Sequence, residues 1–184
     1  MLAVSACGQA GAWSPGQAPH YTVTTSLMQK PGERAVACFA MPLPEPPIGC
    51  GGPPVVGLDL HTLPGFQRYR NGVESVGMMR LIGIWEAGEL RLTARPQPES
   101  ATDLTPTPRC DQTPADASPD TTPEGRKLMS DESLLNARGI QVLEFYVCKQ
   151  ALFVVVSVAD KPTVDFMNVR YAPVQIAGWM RPVG

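Results

Sequence analysis

The sequence predicts an α+β protein: a small antiparallel β-sheet or partly open barrel first, then a sheet of about three strands with two helices. Three observations carry this reading. Apolar residues make up 43% of the 184, enough for a core, while 20 prolines and 17 glycines disfavour a helical bundle and suit strands joined by turns. Residues 89–95 alternate in polarity, with Leu90, Leu92 and Ala94 on one face and Glu89, Arg91, Thr93 and Arg95 on the other, as in a half-buried strand. Residues 151–156 (Ala-Leu-Phe-Val-Val-Val) form a solid β-branched run, far shorter than the ~20 residues of a membrane-spanning helix. They read as a central strand covered on both faces.

Taken in order, the first strand is a β-prone stretch at residues 21–25, and the second covers residues 33–41 with Cys38 inside it. Pro42-Leu43-Pro44-Glu45-Pro46-Pro47 must be extended, because each proline fixes φ and removes a donor. Gly49-Cys50-Gly51-Gly52 permits a tight turn before a strand at residues 55–60. Residues 76–85 and 89–95 form a hairpin through Glu86-Ala87-Gly88. Residues 97–125 are dense in Pro, Thr, Asp and Ser and bury too little to offset their ordering entropy, so they read as a linker pinned by Cys110. A helix follows over residues 123–138, with Thr122 as N-cap, Pro123 at the first position and Gly139 just past the end. Strands at 141–148 and 151–159 make a hairpin through Lys149-Gln150. Asp160 caps a helix around 162–170, and residues 174–180 close the sheet.

The chain thus divides into a lipoprotein-signal remnant (residues 1–7), a flexible tether (8–20), a β-rich domain (21–96), the linker (97–125) and an α+β domain (126–184). Val4-Ser5-Ala6-Cys7 has the lipobox pattern: a branched apolar residue, two small residues for the peptidase's narrow site, and the thiol that becomes the lipid-bearing thioether. Six residues precede Cys7, whereas an export signal has a basic stretch and an apolar stretch of roughly 7–15 residues. The reading is therefore that Met1 lies inside the apolar stretch. At about 0.8 kcal/mol per buried CH₂, two or more acyl chains hold a protein durably on a membrane.

With Cys7 lipidated, Cys38, Cys50, Cys110 and Cys148 remain, an even number suited to two disulfides in an oxidising compartment. Four cysteines allow three pairings. The favoured one joins Cys38 to Cys50 across the proline turn and Cys110 to Cys148, stapling the linker to the second sheet; free buried thiols are the alternative. No pair has zinc-site spacing, and only His20 and His61 are there to assist.

From Cys38 onwards the chain resembles a group of uncharacterised actinobacterial membrane lipoproteins. The residues that carry the resemblance are Cys38, Pro46-Pro47, Cys50-Gly51-Gly52, the Gly57-Leu58-Asp59 strand core, the strand–turn–strand at residues 81–92 and the endings Arg170-Tyr171-Ala172-Pro173-Val174 and Arg181-Pro182-Val183. Relatives often carry tryptophans beside the Asp, where this chain has Leu58 and Leu60. The resemblance implies address and architecture, and no activity.

Other constellations have plain structural readings. Asp59 and His61 would share a face of a strand end, and two ligands do not make a metal site. Glu86 and Glu89 flank a turn. Gly49-Cys50-Gly51-Gly52 lacks the Lys-Ser/Thr of a phosphate loop. Met78 and Met79, a conceivable soft-metal pair, are adjacent and so point to opposite faces, which suits core packing. Arg68, Arg70 and Arg80 form a modest basic zone near Tyr69. A formal charge of −2 gives no case for nucleic acid. The expectation is a non-enzymatic, cofactor-free monomer on the outer face of the cell membrane, held by its lipid and binding a protein or small molecule. The alternatives are an enzyme or enzyme accessory, and a spacer without a ligand.

Overall fold

The computed structural model describes residues 18–39, 47–110, 118–148 and 151–184. The expected lipobox, most of the expected tether, the residues between Phe39 and Pro47 and the Lys149-Gln150 connection lie outside these. Among these residues the fold is mixed α+β, with one large curled sheet, one three-stranded sheet and three α-helices.

Two long strands form the spine of the large sheet. β1 (His20–Gln29) pairs antiparallel with a strand spanning Glu74–Glu86. Between them in the chain come β2 (Val36–Ala37), β3 (Val55–Val56) and β4 (Gln67–Arg68), so the long partner is β5; β6 (Glu89–Leu92) and β7 (Gln97–Pro98) follow. β5 is edged by β6 at residues 83–86, by β7 at 79–80 and by β4 at 74–75. β1 is edged by β2 and, at residues 21–22, by the last strand of the chain. Tyr21, Val23, Thr25 and Leu27 face Gly83, Leu81, Met79 and Val76 across the spine. This period-two set points inward because successive strand residues face opposite sides. Gly83 is required here, since a β-carbon would overlap the Arg91 carbonyl of β6.

The sheet curls until Ala37 N–H donates to Pro53 O and Val55 N–H to Ala35 O. These bonds tie β2 to β3 through one isolated bridge, Val36–Pro54, so the sheet approaches a ring without becoming a closed barrel.

The second sheet has β8 (Val142–Cys148) and β9 (Ala151–Val156) antiparallel, and β10 (Val174–Gly178) parallel to β9. α1 (Pro123–Ser130), α2 (Glu132–Ala137) and α3 (Lys161–Tyr171) complete it, and β11 (Arg181–Pro182) returns to β1. β9 is central and covered on both faces. Phe153 and Val155 pack into the core of the large sheet, while Leu152, Val154 and Val156 pack against Leu128, Leu135, Met167 and Tyr171 of the helices. The molecule is therefore layered as sheet, sheet, helices.

Several expected boundaries move. The strand from residue 55 ends at Val56, because Gly57 turns with φ of +83° and Asp59 caps a 3-10 turn at Leu60–Thr62. The second strand spans Val36–Ala37, and Ala40 and Met41 lie outside the described residues. The strand expected at 89–95 ends at Leu92. The single helix over 123–138 is two, broken at Asp131, whose carboxylate is taken by Arg170 and Tyr171. The strand expected at 174–180 is β10, after which Trp179 and Met180 hand the chain back to the first sheet.

The largest difference concerns residues 97–125. Those that the structure describes are not a free linker. β7 lies on β5, Thr105 bonds to β1, and Ser118–Thr122 forms the turn that leads into α1. Composition undercounts such a segment, because backbone bonds to a neighbouring strand order it without large apolar side chains. The two halves also share one core, which contains Leu27 and Leu81 from the first and Val155 and Trp179 from the second.

Candidate functional site

The cysteines fall in two places. Cys38 is joined to Cys50 with their α-carbons 5.4 Å apart, beside the bridge that links β2 to β3. Cys110 is joined to Cys148, α-carbons 6.2 Å apart, and ties residue 110 to the end of β8. Cys110 N–H also donates to Tyr146 Oη at 2.9 Å, and the Tyr146 ring stacks on Phe153. Cys7 lies outside the described residues.

Asp59 and His61 do not present a shared pair of ligands. Asp59 Oδ1 accepts the His61 backbone N–H at 3.0 Å, an N-cap bond. The His61 ring instead lies 4.4 Å from the Phe66 ring, with Nε2 3.4 Å from Glu74 Oε2. Among the described residues no three His, Cys, Asp or Glu side chains are grouped to hold a metal ion. Two of the three arginines of the basic zone are neutralised, Arg68 by Glu74 and Arg80 by Glu99. Glu86 and Glu89 pair with Arg91 and Arg34. Met79 is buried in the core, as the packing reading expects, whereas Met78 is half-buried on the other side of the spine.

One charged cluster is tightly built. Asp131 accepts from Arg170 Nε at 2.6 Å, Arg170 Nη2 at 2.8 Å and Tyr171 Oη at 2.8 Å. The Arg170 hydrogen bonds hold the Asp131 carboxyl below its ordinary value, with Tyr171 adding to the effect. Burial, and then the bond to Asp131, push the Tyr171 phenol up to about 12. Lys127 Nζ donates to Arg170 O at 3.0 Å from the same side. Every member of the cluster is engaged with another, so it acts as a clamp between the α1–α2 break and α3.

One concave feature that a ligand can reach lies on the outward face of the β1–β5 spine. The register slips between Thr25 and Leu27, so that Gly77 and Met78 of β5 together oppose Ser26. Such a bulge kinks its strand and interrupts the ladder. On the far edge of β5, β4 pairs up to Ser75, β7 pairs from Met79 and Glu99 N–H donates to Met78 O, leaving Val76 and Gly77 between the two ladders. A cleft of about 480 Å³ opens over this gap, within the size range of small-molecule sites. Met28, Met78 and Tyr69 line it together with Pro47, Pro64 and Pro98. Tyr69 Oη donates to Gln67 Oε1 at 3.0 Å, which fixes both side chains on one wall. The sequence reading missed this cleft. Its one local signal is Gly77, a glycine inside a strand.

A second cleft, about 580 Å³, lies between the α1–α2 pair and β8 and carries Glu132 and Glu144 beside Met129 and Phe145. No protein-family model, curated protein or solved structure matches the chain.

Proposed function

We propose that this chain is an exported, lipid-anchored protein of the cell envelope that works as a binding module and not as a catalyst. The observation that carries the reading is the pair of disulfides, which span sequence separations of 12 and 38 residues. Chains that keep two such bonds belong to oxidising compartments outside the cytosol. The lipobox pattern at Val4–Cys7 supplies the corresponding address. The actinobacterial lipoproteins that the sequence resembles carry a strand Cys and a Cys-Gly-Gly turn where this chain has Cys38 and Cys50-Gly51-Gly52. The β-rich half presents its cleft outward, and the cleft's lining offers shape and apolar surface. Among the described residues that line it, the only ionisable side chain is the phenol of Tyr69.

The test is fractionation. Expressed from its own locus, the protein partitions with the membrane fraction, and Cys7→Ser moves it to the soluble extracytoplasmic fraction. Retention of Cys7→Ser on the membrane, or recovery of the unmodified protein in the cytosol, refutes the proposal.

A further inference from the structure

The cleft over the β5 bulge has a composition that selects its ligand. Two charged residues close to it in sequence are turned away. Gln67, Tyr69 and Ser75 line it, while Arg68 and Glu74, each adjacent in the chain to one of these, do not. Neighbouring strand residues point to opposite faces. Arg68 and Glu74 pair with each other on the far side, and His61 joins Glu74 there. The described lining residues offer thioether, phenol, proline-ring, hydroxyl and amide groups. A charged ligand entering it gives up hydration and meets no counter-charge among the described residues that line it. A neutral ring keeps its desolvation gain and meets Tyr69 and the thioethers of Met28 and Met78, which contact ring edges favourably.

The geometry points to an uncharged, ring-bearing organic molecule as the occupant of this cleft. This deepens the binding-module reading and rests on it. Gly77 gives a direct handle. It is exposed on the cleft lining, and a β-carbon built on it meets no atom within 4 Å. A large side chain there takes up the ligand's space without displacing the fold.

The experiment titrates the purified, oxidised protein with the neutral fluorophore N-phenyl-1-naphthylamine and, separately, with the anionic 1-anilinonaphthalene-8-sulfonate. The neutral probe is expected to bind saturably. Gly77→Phe weakens it by at least ~10-fold at unchanged thermal midpoint, and Met78→Glu does the same by placing a charge in the cleft. Met129→Glu, in the second cleft, leaves it unchanged. The anionic probe binds weakly and is insensitive to Gly77→Phe. Three results overturn the proposal: no saturable binding of the neutral probe, binding indifferent to Gly77→Phe, or anionic binding as tight and as sensitive to Gly77→Phe. Each would leave the membrane fractionation of Cys7→Ser standing, so failure of the ligand class and failure of the tether are read separately.

Discussion

Thr105 completes the outer edge of β1 opposite Thr24. Its N–H donates to the Thr24 carbonyl at 2.9 Å, and its Oγ1 accepts the Thr24 N–H at 2.7 Å. Along that edge β11 serves residues 21–22 and β2 serves residues 27–28, so Thr105 fills the interval between two short strands. Its carbonyl also accepts from Trp179 Nε1 at 3.4 Å, tying the same point to the shared core.

Thr105→Val removes the acceptor and leaves the Thr24 N–H without its partner in a residue only 8% exposed. A stranded buried donor costs about 1–3 kcal/mol. Urea denaturation of Thr105→Val should show a loss of that size, and Thr105→Ser should recover most of it. Because Trp179 bonds to the same residue, the folded-state tryptophan emission should shift in the valine variant and not in the serine variant.

What could be read from the sequence was what local chemistry determines. Thr122 accepts from Gly125 N–H and Asp160 from Thr163 N–H, as caps do. The turn after Glu86 has positive φ at both Ala87 and Gly88, the geometry of a two-residue hairpin. β9, read from its unbroken apolar run, is the central covered strand. What escaped depends on partners distant in sequence. The helix breaks at Asp131 because of Arg170, 39 residues away, and residue 105 is ordered by Thr24, 81 residues away. The cleft needs the bulge, the Pro64–Gln67 segment and Pro98 to meet, and no single stretch records that meeting.

The two disulfides should contribute unequally. By the chain-entropy relation, closing 12 residues is worth about 3 kcal/mol and closing 38 about 4 kcal/mol. Cys38→Ala/Cys50→Ala and Cys110→Ala/Cys148→Ala should therefore lower stability by roughly these amounts, the second pair more. Non-reducing peptide mapping checks the linkage: fragments crossed between the pairs, or free thiols at these positions, would contradict the structure.

Alkaline titration isolates Tyr171. Its phenol is raised from 10.0 to about 12, which means the folded state favours the protonated form. The stabilisation is fully present below pH 10 and is lost as pH rises towards 12. Burial also raises the Tyr21 phenol, so the wild-type profile contains both. The difference between wild type and Tyr171→Phe separates them. The phenylalanine variant should be less stable at neutral pH, having lost the bond to Asp131, and should close the gap across that alkaline window.

Acid titration isolates Asp131, and the sign is opposite. Its carboxyl is held below 3.8 by the Arg170 hydrogen bonds, so the folded state binds its proton less readily than the unfolded chain. The stabilisation is present above the unfolded value and is lost as pH falls through the lower folded one. Asp131→Asn keeps the side chain's shape but cannot present two charged acceptors to the Arg170 fork. Its deficit relative to wild type should be constant from pH 5 to 8 and shrink as pH drops below about 4, where wild type loses its advantage. Chemical denaturation of both proteins across pH 2 to 7 reads this directly. A deficit that does not change with pH would mean that Asp131 acts through shape alone. The same variant should loosen the junction of α1 and α2 against α3, so amide exchange should quicken at residues 127–132 while β1 and β5 keep their protection.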